Sequence, residues 1–142
     1  MRNLALAFCS IRPTHFPENV CVAREKEYET CLSQLARVLP KSFDMVVCEN
    51  TINSHSELQN DDLVNLLSKT NNLFTGSKFN IGTVNKGLGE LLMLKVAMDN
   101  IDISKYENIC YITARRIFTC PYVFEKTELL EKDALISNPD FL

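Results

Sequence analysis

An apolar run spans Leu4 to Ser10, and a second spans Phe43 to Cys48. Both are too apolar for a sheet with one wet face, so each predicts a strand covered on both sides. Between them, Tyr28, Cys31, Leu32, Leu35 and Leu39 recur at helical spacing. Arg24, Glu25, Glu27, Glu29 and Arg37 fall elsewhere on that wheel, which predicts an amphipathic helix from Ala23 to Leu39, stopped by Pro40. Residues 11–20, with Pro13 and Pro17, read as a loop. A helix is expected from Asp62 to Lys69, capped by Asn60 or Asp61. Thr70 to Lys78 reads as a loop and Phe79 to Thr83 as a short third strand. Gly87 to Met98 is apolar nearly all round, which predicts a largely buried helix. Asn108 to Thr113 is the fourth strand, and Pro121 opens a last helix from Tyr122 to Lys132. Strands and helices therefore alternate along one domain, residues 1–142. The expected fold class is α/β, a parallel sheet with helices on its faces.

In such sheets ligands bind beyond the carboxyl ends of the strands. That rule selects the loops after Ser10, Cys48, Thr83 and Thr113. Asn85-Lys86-Gly87-Leu88-Gly89-Glu90 follows a strand and opens a helix, where backbone N–H groups attract anions and glycine permits close approach. Lys86 adds a point charge suited to phosphate. The turn lacks the third glycine of a dinucleotide fingerprint and is not a Walker loop. Arg115 and Arg116 end the fourth strand, and an arginine fork suits a diphosphate or a carboxylate. Adjacent strand residues point to opposite faces, so one of the two is expected at a given pocket. Ser10, Arg12 and His15 follow the first strand, and Arg24 in the first helical turn can face the same cleft. For Arg24 a surface ion pair is the plainer reading. Glu49-Asn50-Thr51 follows the second strand; it can hydrogen-bond a ribose or a base edge, but a strand-capping polar turn is the plainer reading.

Composition narrows the classes. The chain has 142 residues, 46% hydrophobic and 23% charged, with a formal net charge of −3. That balance argues against a general nucleic-acid binder. No stretch approaches the roughly 18 apolar residues of a membrane span. The start, Met1 to Phe8, is too short for a signal core and reads as strand. Six cysteines at 9, 21, 31, 48, 110 and 120 form no C-x-x-C pair, and His15 and His55 complete no zinc ligand set. Cysteines inside apolar strands behave as buried reduced thiols, which fits a cytoplasmic location.

The segment Asn85–Glu125 resembles a pattern in glycosyltransferases of the GT-A, nucleotide-diphospho-sugar transferase class. There a turn of the type Asn-Lys-Gly-x-x-Glu opens a helix leading to a strand that ends in Thr-Gly-Arg-Tyr. Asn85, Lys86, Gly87 and Glu90 match the turn. Thr113-Ala114-Arg115-Arg116 matches the strand end, with alanine for glycine and arginine for tyrosine. The beginning is similar too, with Arg12 in the first loop and Arg24-Glu25-Lys26-Glu27-Tyr28 opening the first helix. The resemblance implies a Rossmann-like three-layer sandwich with a mostly parallel sheet. It implies a nucleotide-sugar as partner, held by Arg12, Arg24, Lys86, Gly87, Thr113 and Arg115. The class often uses an Asp-x-Asp motif with Mg²⁺ or Mn²⁺; no such motif follows the fourth strand, so a metal-independent site is the expectation. Full members carry a further acceptor half, so this sequence is expected to hold the donor half and to be catalytically incomplete. The alternative is a non-catalytic α/β interaction domain that forms homo-oligomers.

Overall fold

A computed structural model describes residues 2–76 and 85–127. Four strands form its sheet: β1 (Arg2–Cys9), β2 (Phe43–Glu49), β3 (Asn71–Phe74) and β4 (Tyr106–Thr113). Among the described residues, four α-helices accompany them: α1 (Glu18–Val38), α2 (Asp61–Ser68), α3 (Lys86–Asn100) and α4 (Tyr122–Thr127). The strand order is β3-β2-β1-β4, and every described pairing is parallel. β1 is central, running beside β2 from Asn3↔Phe43 to Cys9↔Glu49 and beside β4 as far as Phe8↔Thr113.

Alternation along β1 divides the core into two layers. Ala5, Ala7 and Cys9 face one side, where they pack with Tyr28, Leu32 and Leu35 of α1, Leu63 and Leu67 of α2, and Phe124 of α4. Leu4, Leu6 and Phe8 face the other side, against Met93 and Ala97 of α3. Each face carries a helix layer, which explains the continuous apolar run of β1. Among the described residues, no helix is long and apolar enough to cross a membrane.

Three expectations change. The third strand is Asn71–Phe74, inside the stretch read as loop; the strand expected at Phe79 to Thr83 lies outside the described residues. Its two leading asparagines disguise it. Asn72 spends its amide on the C-terminal end of α2, donating to Leu67 O at 2.6 Å and Thr70 O at 3.1 Å. The backbone meanwhile pairs with β2 from Val46↔Asn71 to Glu49↔Phe74. Second, α1 starts at Glu18, five residues before the apolar pattern becomes legible, with Pro17 as its N-cap residue. Glu25, placed on the polar face, is 1% exposed. It accepts hydrogen bonds from Gln59 N, Asn60 N and Arg12 Nη1, and so fastens α1 to the start of α2. Third, α3 buries only Gly89, Met93 and Ala97, a stripe spaced by four residues. Leu88 and Leu91 remain 39% and 61% exposed. Asn60 caps α2, accepting from Leu63 N at 2.9 Å, as its sequence position implies. The last helix is described only through Thr127.

After β3, Gly76 adopts φ +64°, and a Cβ there would stand 1.8 Å from Asn53 Oδ1. The left-handed backbone favours glycine, and the exposed Asn53 side chain would have to swing away to admit a Cβ. Gly76→Ala is expected to cost about 1–2 kcal/mol or more, read as a lower urea midpoint at unchanged slope.

Candidate functional site

The strand order creates one crevice. From β1 the chain moves outward through β2 to β3, then returns through α3 to β4 on the opposite side of β1. The carboxyl ends of β1 and β4 are thus where loops diverge, the preferred ligand position of an open parallel sheet. A cavity of about 370 Å³ lies there. Its walls come from the end of β1 (Phe8, Cys9, Ser10), the following loop (His15, Phe16), α1 (Arg24, Tyr28), the turn after β2 (Asn50, Thr51), α3 (Lys86, Glu90, Met93) and the end of β4 (Thr113, Arg115).

The loop after β1 is fixed at each successive residue. Ser10 N donates to the Tyr28 hydroxyl at 3.0 Å, Ile11 N to Glu49 Oε2 at 2.9 Å, and Arg12 N to Thr51 Oγ1 at 2.8 Å. Arg24 donates to the Ser10 carbonyl through Nε, at 3.2 Å, and through Nη2. Its guanidinium also lies 5.2 Å from the Phe16 ring centre and 5.7 Å from that of Tyr28, within cation–π range.

Glu49 is 0% exposed and joins this loop to the turn after β2. Its Oε1 accepts from Thr51 N at 2.5 Å and from the Thr51 hydroxyl. Burial raises its carboxyl from the ordinary 4.5 to about 7, while the hydrogen bonds from Thr51 and Ile11 oppose the rise. Burial likewise raises the Tyr28 hydroxyl and the Cys9 thiol, which makes Cys9 an unreactive wall.

The residues singled out by sequence divide into two groups. Arg24, Lys86, Thr113 and Arg115 converge on the cavity. Arg12 and Gly87 do not line it. Arg12 turns to Glu25, at 2.5 Å, and to Glu18, so its charge serves the α1–α2 junction. Gly87 sits in the first turn of α3, and a Cβ there would meet nothing closer than Asn85 Oδ1 at 3.5 Å. Asn85 caps that helix by accepting from Leu88 N at 3.0 Å. Of the two neighbouring arginines, Arg115 is the one at the cavity; Arg116 N closes the turn onto Thr113 O at 3.2 Å. Arg115 pairs with Glu27 at 2.6 Å, and Lys86 with Glu90 at 3.9 Å. Both pairs are solvent-exposed and therefore weak, so either cation can turn to an anionic ligand at small cost.

Asn50 gains weight from the structure. It is 7% exposed, its Oδ1 accepts from Ser10 Oγ at 2.6 Å, and its backbone N–H donates to Cys9 O at 3.3 Å. Among the described residues its Nδ2 has no hydrogen-bond partner. A buried amide with unused donors, in a cavity wall, lacks an acceptor that a ligand would supply. The sequence left this residue open between a turn and a base-reading role, because no local pattern shows that its amide is buried beside Ser10. Among the described residues no group of three or more His, Cys, Asp or Glu could hold a metal ion.

The Glu49 shift has a definite sign. A carboxyl whose folded pKa lies above its unfolded value stabilises the fold fully below about 4.5, and that contribution is lost as pH rises to about 7. Glu49→Gln is expected to flatten this part of the stability–pH profile, measured by urea unfolding between pH 4.5 and 8. It should also lower stability by about 1–3 kcal/mol, because its amide places a donor against the donors of Ile11 or Thr51.

Comparison of the chain with protein-family models, with curated proteins and with solved structures found no match to any of the three.

Proposed function

We propose that this chain is a glycosyltransferase-like domain that binds a nucleotide-sugar in the crevice between β1 and β4. The observation that carries the reading is the convergence there of three cations, Arg24, Lys86 and Arg115, with the buried Asn50 amide, whose Nδ2 has no hydrogen-bond partner among the described residues. Arg115 follows β4 and Lys86 opens α3, so the two flank the mouth from separate elements. Together they suit a diphosphate. Asn50 lies across β1 from Arg115, one residue beyond β2. Neighbouring strands are about 4.8 Å apart, so two spacings give a span suited to a nucleoside between its base edge and its phosphates. In this reading the charge of a departing diphosphate is met by Lys86 and Arg115. No Asp-x-Asp pair follows β4, so cationic side chains take the place that a metal ion fills in other members of the resembled class.

A second reading is self-association through α3 and β4. It is favoured by exposed Leu91 at 61%, Ile109 at 39% and Tyr111 at 44%. Light scattering that shows a monomer at high concentration would remove it.

Binding is testable through folding. Ligand at a hundred times its Kd adds about 2.7 kcal/mol of stability, so UDP, GDP or CDP is expected to raise the melting temperature by several degrees. Lys86→Ala and Arg115→Ala should each weaken the effective nucleotide about tenfold. No shift with any of the three nucleotides, or unchanged binding by Lys86→Ala, would sink the reading.

A further inference from the structure

Glu90 is the one carboxylate among the described residues lining the cavity, and it stands among the cations that would hold an anion. Its presence is unexpected for a site that binds phosphate alone. A fixed negative charge beside a diphosphate is repulsive, and a carboxylate can only accept hydrogen bonds. A ligand that places hydrogen-bond donors at this wall is the one it favours.

Glu90 has two neighbours among the described residues, both weak constraints on its side chain. Lys86 Nζ lies 3.9 Å away, one helical turn earlier on α3. From β4, the Tyr111 hydroxyl interacts with the same carboxylate, and its ring stacks on Phe8 with centres 4.3 Å apart. The side chain of Glu90 is 39% exposed, so the carboxylate is accessible. Its pair with Lys86 is a screened surface contact that contributes little to stability. The fold therefore gives little reason for an acid at this position, while the cavity gives one.

We infer that Glu90 is a specificity-determining residue that accepts hydrogen bonds from ring hydroxyls of the ligand, so that the site selects a glycosylated diphosphate over the bare diphosphate. This rests on the nucleotide-sugar reading and adds to it a residue that discriminates the sugar. The cations act on the phosphates, which both ligands share. Glu90 acts on the hydroxyls, which only the glycosylated ligand offers at that end.

The test is a ratio of affinities. Calorimetric titration of the whole chain with UDP and UDP-glucose, and with GDP and GDP-mannose, gives the preference for the sugar-bearing form. Glu90→Gln keeps the shape and removes the charge. It is expected to weaken binding of the matching nucleotide-sugar about tenfold, and to leave the nucleoside diphosphate unchanged or tighter, so that the preference collapses. Tyr111→Phe, which keeps the ring stack and removes the hydroxyl, should reduce the preference in the same direction by less. Three outcomes overturn the inference. One is an unchanged ratio in Glu90→Gln. Another is an equal loss for both ligands that requires Mg²⁺, which would make Glu90 a metal ligand. The third is a wild-type protein that binds the diphosphate and its glycosylated form equally. If wild-type protein binds neither form of either nucleotide and CDP gives no thermal shift, the nucleotide reading itself fails, a result separate from all three.

Discussion

A carboxylate removed from water organises the carboxyl edge of this sheet. Glu49 ends β2 at full burial and receives N–H groups from the loop after β1 and from the turn after its own strand. Leaving such donors unmet in an apolar setting would cost more than the bonds contribute when made. The two segments are therefore held together as a unit. Ser10, Asn50 and Thr51 stand where they do because Ile11 N and Thr51 N share one side chain. Arg24 and Tyr28 complete the frame from α1, binding Ser10 from its carbonyl and its amide side.

That frame leaves an asymmetric cavity. One part, formed by the ends of β1 and β2, is largely buried and tied by hydrogen bonds. The other part, formed by α3 and the end of β4, carries Lys86, Glu90 and Arg115 on exposed, weakly paired side chains. Fixed geometry suits recognition of a planar edge, and mobile charges suit phosphates and hydroxyls that must enter and leave. Glu25 plays the corresponding role at the junction of α1 with the start of α2, where Arg12 is drawn off to neutralise it. A cation that sequence reasoning assigns to the ligand is thus consumed by a second buried acid.

The strands β1, β2 and β4 were legible because each is apolar enough to have few alternatives. β3 was not, since Asn71 and Asn72 weigh against a strand and only the Asn72 bonds to α2 offset their polarity. The apolar composition of α3 was legible, but its exposure was not, because burial depends on what lies across from the helix. Lys86 and Arg115 were found from their positions at a helix start and a strand end. Ser10 and Asn50 were marked only as members of strand-end loops, and Glu90 only as part of the matched turn, so none of the three had a role of its own. An amide or a carboxylate at a loop or on a helix reads as solvated until its partners are known.

The order of apolar and polar residues by itself determined that strands alternate with helices, and hence that the sheet is parallel with its loops gathered along one edge. That follows from local periodicity and from the length a parallel crossover needs. The tertiary structure decided which acids are buried, which cations they consume, and which side chains are left facing the crevice. Those outcomes depend on contacts between residues far apart in the chain, such as Ile11 with Glu49 and Arg12 with Glu25, and no local pattern encodes the desolvation that makes them necessary.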